Sequence, residues 1–536
     1  MTGKNKTVEN ALHITPAVSG KMTEAIRLWS NMYEDKSPWI KDESYSDPVK
    51  VVSLGLPAFI ASEKARMVLI EFQSTITAKI DDANTIDSPV PLSGKQEKTK
   101  TETVNVSKTA RAEYLNEQYQ RKVINKLRQQ LEYGIAKGGL VIKPYFVANS
   151  NTSNEKSNNS AQYKGELEFD YIQADNFYPL AFDASGKMTE AAFLQRKTDK
   201  EIIYTRLEYH KLQGDTVTVI NKAFKNNAGG QSVSGGDLGQ EISLTSVPEW
   251  ANLQPETTIK NVDRLLFAYY KNPDANTIDT HSPLGVSAYS RAVSLIKEAD
   301  KQYSRFLWEF EGGELAVDVD RDLLMEKMDE NGNPIVTRPK MQQRLFRKVD
   351  SIEGNFYSVF NPPFRDTSLI NGLNSILMRI EDVCALSRGT VADVSAEART
   401  ATELKILKQR TYASVNEMQI KSLKPALEDL VYIMDVYCTL YNIVGDAPYI
   451  GGKIDTSHIG KYEVSFEFDD STITDIDTEI NRRIALMNVG LTSKLEVRMW
   501  YFGETEEQAK EALQKIDEEN AQSVKNDLMN GYEGEE

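Results

Sequence analysis

Apolar residues recur at 286, 289, 293, 296, 299, 303, 306 and 310, the spacing of one helical face. Pro283 stands just before them, where a proline opens a helix rather than breaks one. Leu369, Leu373, Ile376, Ile380 and Val383 then repeat in 4-3-4-3 steps, which predicts a second helix. Between the two lies a stretch over 311–365 with short β-like runs, an Asn331-Gly332 turn signal and a closing Asn361-Pro362-Pro363. Helix pairs are ordinarily joined by about 2–8 residues, so a joint of roughly fifty predicts a small module carried on the tip of a helical pair. A third pattern predicts one long helix over about 400–443, roughly 65 Å if straight at ~1.5 Å per residue. Pro425 inside it predicts a kink just before that residue. Apolar positions are sparse before Pro425 and dense after it (Leu427, Leu430, Val431, Met434, Tyr437, Leu440), so the second half is expected to be the buried one.

The first 280 residues read as an α/β body. An amphipathic helix is expected over 22–33 around Leu28 and Trp29, and a strand or loop followed by a helix over 51–72. A polar stretch, 81–109, precedes a helix over 110–137 that stops at Gly138-Gly139. Strand-like runs follow at 140–147, 166–173, 191–197, 201–212 and 216–224, separated by polar low-complexity loops. With the helices beyond residue 283, the fold class is α+β.

Composition narrows the function classes. The chain has 536 residues, 40% of them hydrophobic and 26% charged, as in an ordinary soluble protein. It lacks an apolar run of about 18 residues, so no membrane span is expected, and its N-terminal stretch does not read as a secretory signal. Cys384 and Cys438 fall in helical patterns and read as buried thiols in a reducing compartment. The formal charge of −16 argues against binding nucleic acid by bulk attraction. Residues 503–536 hold eleven acidic and three basic side chains, read as a solvated helix and tail or as a docking surface for a basic partner.

Catalytic patterns are absent from the sequence: no phosphate-binding glycine loop, no paired cysteine or histidine ligand motif, and four scattered histidines. Asp318, Asp320 and Asp322 alternate as in a calcium loop, but Leu323 takes the place of the glycine that loop requires. Asp469, Asp470, Asp475, Asp477 and Glu479 form a second acidic group, most simply a helix N-terminal charge. No enzyme activity, cofactor or metal is therefore expected. A nucleic-acid-processing enzyme and another virion connector or minor capsid protein are the rival readings.

Several stretches together resemble the portal proteins of tailed bacteriophages, close to those of phages of Gram-positive bacteria. LWSNMYEDKSPW (28–39) resembles that family's N-terminal segment. QADNFYPLAFDASGKMTEAAF (173–193) and YTRLEYHKL (204–212) resemble its wing strands. PLGVSAYSRAVSLIKEADKQYSRFLWEFEGG (283–313) resembles its first stem helix, and RTATEL (399–404) the opening of its long wing helix. The resemblance implies a portal fold. Its wing covers 1–282 and returns over 401–470 with the long kinked helix and the strand at 461–470. The stem is 283–310 and 366–387, a small α/β clip 311–365, a tunnel loop 388–400, and a helical crown with the acidic tail 471–536. It also implies a virion protein at a capsid vertex, made in the host cytoplasm. The assembly is a ring of about twelve copies around double-stranded DNA, without sequence specificity. The implied partners are the terminase large subunit, a head–tail adaptor, and the major capsid and scaffolding proteins.

Within that frame three groups become candidate site residues. Lys297, Lys301 and Arg305 share one helical face, either solvated or turned to a channel for weak phosphate contacts. The loop RGTVADVSAEART carries Arg388, Asp393, Glu397 and Arg399, whose charges cancel, and Gly389, so it reads as a mobile, neutral surface for passing DNA. The densest basic patch is TRPKMQQRLFRK (337–348), with Arg338, Lys340, Arg344, Arg347 and Lys348. It is either a solvated strand face or a docking site for a partner.

Overall fold

The computed structural model describes residues 8–12, 20–40, 51–79, 110–148, 165–227, 238–320, 326–328, 330–331, 334–336, 346–349, 357–393, 411–443, 454, 459–468, 476–502, 504, 506, 508–516 and 518. The chain forms two compact units, Met1–Phe468 and Asp469–Glu536.

The first unit opens with α1 (Val8–Leu12), α2 (Gly20–Tyr33), α3 (Leu56–Val68) and β1 (Gln73–Ala78). A helical run from residue 110 passes through a π-helical stretch, Tyr119–Ile124, into α4 (Asn125–Lys137). It stops at Gly138, whose φ of 95° is open to glycine at little cost. Then come β2 (Gly139–Ala148), β3 (Gly165–Gln173), β4 (Phe177–Phe182), β5 (Met188–Asp199), β6 (Ile202–Gln213) and β7 (Thr216–Asn227). The short strands β8 (Gln240–Ile242), β9 (Glu256–Lys260) and β10 (Ala268–Lys271) complete two antiparallel sheets. One is ordered β10-β2-β3; the other runs β4 to β8, with β9 also paired to β7. The strand expectations at 140–147, 166–173, 191–197, 201–212 and 216–224 all fall on these elements. One continuous core, with Trp29, Tyr119, Tyr270 and Tyr289 fully buried, packs helices α2, α3 and α4 against the smaller sheet.

The first long helix begins later than its periodicity predicts. Pro283 does not open it. Residues 284–289 run irregularly through the core, a 3-10 turn covers Ser290–Ala292, and α5 spans Val293–Gly312. Leu284, Val286 and Tyr289 are buried, so the apolar spacing reports real burial. The backbone is held off the helical path by competing hydrogen bonds. The Asn272 side-chain amide donates to the carbonyls of Ile135 (3.1 Å) and Val286 (2.8 Å), and Ala288 N–H donates to Ile135 O at 3.1 Å. Here two backbones touch: a Cβ on Gly285 would stand 2.2 Å from the Gly138 carbonyl oxygen.

Beyond α5 lie β11 (Ala316–Asp320), β12 (Glu326–Met328), β13 (Pro334–Val336), β14 (Phe346–Val349) and β15 (Tyr357–Phe360), then α6 (Asp366–Val383). These strands make the tip module expected from sequence. Its sheet is ordered β14-β11-β15 with β11 and β14 parallel, and β12 and β13 form the antiparallel hairpin signalled by Asn331. The long helix is described from residue 411, so 400–410 lies outside the described residues. A π-helical stretch, Met418–Leu423, sits just before Pro425, at the start of α7 (Lys424–Leu440). A widened turn there accommodates the donor that proline lacks. Leu427, Leu430, Val431 and Met434 are fully buried, while Tyr437 and Leu440 are half-buried. The chain then returns as β16 (Tyr462–Glu467), antiparallel to β1.

One buried ion pair ties these segments together. Arg111 Nε donates to Asp435 Oδ1 at 3.0 Å, and its Nη2 donates to Thr439 Oγ1 at 2.7 Å. Asp435 Oδ2 in turn accepts Gly460 N–H at 2.9 Å. Both expected free thiols, Cys384 and Cys438, are buried; burial pushes the Cys384 thiol up to about 12.

The second unit contains α8 (Ile476–Asn488) and α9 (Lys494–Phe502), with further helix over 508–516. Ser493 and Glu496 cap α9 reciprocally, at 2.9 and 3.1 Å. The Arg483 guanidinium stacks 4.0 Å from the Trp500 ring centre.

The glycine contact generates a stability prediction. Gly285→Ala places a methyl inside a backbone contact and should destabilise the first unit by about 1–3 kcal/mol. Gly214→Ala, at a left-handed turn with open space around it, should cost about 1 kcal/mol from backbone strain alone. Equal thermal midpoints for the two variants would contradict this account.

Candidate functional site

The helical pair is anchored at its root by buried polar groups. Asp300, on the inner face of α5, accepts from Trp39 Nε1 and Leu54 N–H, both at 2.9 Å. Burial pushes its carboxyl up, and these two donors partly counter that. Ser304, one turn on, accepts Val52 N–H at 2.8 Å. The outer face carries the expected cations. Lys297 and Arg305 are exposed, and Lys301 is half-buried beside Glu298 at 3.3 Å. The pair closes where the tip module departs. Arg365, just ahead of α6, grips Glu309 of α5 through Nε (3.0 Å) and Nη2 (2.7 Å), and its backbone N–H adds a third bond at 3.0 Å. That grip holds the Glu309 carboxyl below its ordinary range. Around it Trp308, Phe310, Phe364 and Ile370 expose 43%, 43%, 50% and 44% of their surface, and the Phe310 and Phe364 rings lie together with centres 5.6 Å apart.

The segment after α6 is held by a buried carboxylate. The helix ends at Cys384, one residue before Ala385 turns to a φ of 53°. Glu381, fully buried on α6, then collects three backbone N–H groups on one oxygen: Gly389 at 3.1 Å, Val391 at 2.7 Å and Ala392 at 2.9 Å. Gly389 has a φ of 88°, so its glycine supplies a left-handed bend that faces its N–H to the carboxylate. Asn374, two turns back along α6, exchanges hydrogen bonds with the backbone of Asp393 at 2.7 and 2.8 Å. Residues 389–393 therefore double back along α6 as a strap. Arg388 is committed to Asp382 at 2.5 Å, while the Asp393 side chain stays exposed.

The structure thus brings Arg388, Gly389 and Asp393 together beside α6, and Lys297, Lys301 and Arg305 onto one face of α5. Glu397 and Arg399 lie outside the described residues, as do Arg338, Lys340 and Arg344. Arg347 and Lys348 fall on β14, in register with Asp318 and Val319 of the parallel strand β11. Among the described residues no cluster of His, Cys, Asp and Glu is placed to hold a metal, and no helix is long and apolar enough to cross a membrane.

Compared with known families, residues 99–526 match the family described as phage portal protein, SPP1 Gp6-like. The chain belongs to the phage portal protein family. No curated protein is matched. The match covers both helices of the pair, the tip module between them, the strap and α7. Portal proteins are a structural family of the virion capsid, consistent with the lack of catalytic motifs.

Sequence reading missed Glu381, Asn374 and Asp300. The signal was present: each is a polar residue set among the apolar positions of a helix, a place where a side chain with no partner is costly. What the pattern lacks is the identity of the partner, because the donors come from backbone N–H groups that any residue supplies.

Glu381→Ala should remove the acceptor of three N–H groups, the one on Ala392 buried, destabilise the first unit by about 2–4 kcal/mol, and free the strap. Asn374→Ala should release only its outer end. Hydrogen exchange checks this: amides of residues 389–392 should exchange at least about tenfold faster in Glu381→Ala, and much less so in Asn374→Ala.

Proposed function

We propose that this chain forms a ring of about twelve copies at one capsid vertex, through which double-stranded DNA enters during packaging and leaves during ejection. The single observation that carries the reading is the portal family match over 99–526, coinciding with the helix–module–helix order. In this reading α5 and α6 are the stem and the module at 311–365 is the clip. The strap roots a tunnel loop over 388–400, the first unit apart from these is the wing, and the helices beyond 471 are the crown. The clip, with Arg338, Lys340, Arg344, Arg347 and Lys348, docks the terminase large subunit and later the head–tail adaptor. Major capsid and scaffolding proteins surround the ring. The Gram-positive host range suggested by the sequence resemblance belongs to this proposal too.

The physics of passage supports the assignment. A ring of about twelve chains of −16 each carries about −190, a repulsive envelope in which DNA finds no deep well. Exposed Lys297 and Arg305 on α5 supply weak, sequence-blind phosphate contacts. Arg388 is neutralised by Asp382, which removes one cation from the loop's reach. The strap changes the picture of the loop drawn from sequence: residues 389–393 are tethered to α6. The exposed apolar side chains of Trp308, Phe310, Phe364 and Ile370 are suited to burial against neighbouring copies.

Two experiments test this. Negative-stain images and sedimentation of the purified protein should show a channelled ring. Trp308→Glu with Ile370→Glu should shift it to smaller species, since unpaired charges at a buried contact cost several kcal/mol. An elongated monomer from the unaltered chain would refute the reading. For the loop, Asp393→Lys with Glu397→Lys adds four charges per chain, about 48 around the ring, and each new phosphate contact steepens the salt dependence. Because Asp393 holds the strap through its backbone, rings should still form but package DNA slowly, with relief at higher salt. Packaging at the unaltered rate in low salt would place this loop away from DNA.

A further inference from the structure

A cavity of about 300 Å³ lies between the two sheets of the first unit, far in sequence from the helical pair. Its wall is built around one buried carboxylate, Glu208 of β6. Lys143 of β2 donates to both of its oxygens, at 2.8 and 2.7 Å, and Arg206 Nη2 donates to Oε2 at 2.8 Å. His210 Nε2 stands 2.7 Å from Oε1. Burial alone pushes Glu208 up, but Lys143, His210 and Arg206 together hold it well below the usual carboxylate range. Burial also pushes His210 down, so it sits neutral. The cavity is further lined by Arg196, Asp170 and Asn176.

The charges of this lining do not cancel. Lys143, Arg196 and Arg206 contribute three positive charges against two from Glu208 and Asp170, leaving one positive charge over. Asp170 reaches Lys143 only at 4.0 Å. Arg206 is also incompletely used: its Nε is buried and has no acceptor among the described residues. A guanidinium N–H shut away without an acceptor is costly, by about 1–3 kcal/mol, and Arg is the side chain best shaped to present such donors to a phosphate.

We propose that this cavity binds a small oxyanion of the phosphate class, held by Arg206 and Lys143 inside and by Arg196 at the exposed edge. The cavity is larger than a bare phosphate, which leaves room for an organic part or for bridging water. The two sheets meet there, so a bound anion joins β2 and β3 to β5 and β6. This proposal is independent of the assignment of the ring and its channel.

The test uses the full chain and inorganic phosphate, compared with chloride at equal ionic strength and pH. Phosphate should raise the thermal midpoint in a saturable way, and the concentration for half the effect should rise about tenfold in Arg206→Lys and in Arg196→Ala. Arg196 is exposed, so its variant folds even where Arg206→Lys does not, and it then carries the test alone. A short DNA duplex raising the midpoint through the same residues would identify the phosphate as that of nucleic acid; a response to inorganic phosphate only would identify a free ligand. Identical midpoints in phosphate and chloride, or an unchanged phosphate response in Arg196→Ala, overturn the proposal and leave water as the partner of Arg206.

Discussion

The contact between Gly138 and Gly285 is the constraint from which the placement of the helical pair follows. Two backbones can approach this closely only where neither residue carries a side chain. The approach lets Asn272 bridge Ile135 and Val286, so the segment before α5 is bonded to the end of α4 instead of to itself. The helix can begin only after those bonds are made, at Val293. Its direction is then set by Asp300 and Ser304, which fasten it to the chain around Trp39 and Val52. A helix held at its root by backbone contacts and buried hydrogen bonds is a rigid lever.

Acidic residues are the organising groups of this protein, despite its excess of negative charge. Asp300, Glu381, Asp435 and Glu208 are all buried. Each gathers several donors: Asp300 those of Trp39 and Leu54, Glu381 those of the strap, Asp435 those of Arg111 and Gly460, and Glu208 those of Lys143 and of Arg206 on its own strand. A carboxylate accepts several bonds at once, so one side chain can fix a junction of three segments. Losing such a group exposes every donor it served. The surface acids, such as Glu506 and Glu511, instead form exposed helical pairs with Lys510 and Lys515, where solvent leaves little net stability.

The strap separates two ideas that the sequence runs together. Between helices, a glycine and cancelling charges suggest freedom. Gly389 instead provides a left-handed bend that points its N–H at Glu381. Arg388 and Asp393 are balanced by different means, one by Asp382 and the other by exposure to water. Residues 389–393 are thereby fixed to α6 at two points, Glu381 and Asn374.

By itself the sequence determined the α+β class, the strands of the first unit though not their pairing, the helix–module–helix order, the burial of α7 beyond Pro425, and the family. These follow from periodicities of two and 3.6 residues and from proline and glycine punctuation, all of which act over a few neighbours. Only the tertiary structure decided where α5 starts, how Pro425 is accommodated by a π-helical turn, which acids are structural, and that residues 389–393 fold back on α6. Those features depend on pairings across long stretches of chain, such as Arg111 with Asp435, or on backbone donors that no residue type announces. The burial of Val286 and Tyr289 was legible; their conformation was not, because a buried apolar position has the same spacing signature whether its carbonyl is bonded within a helix or to Asn272.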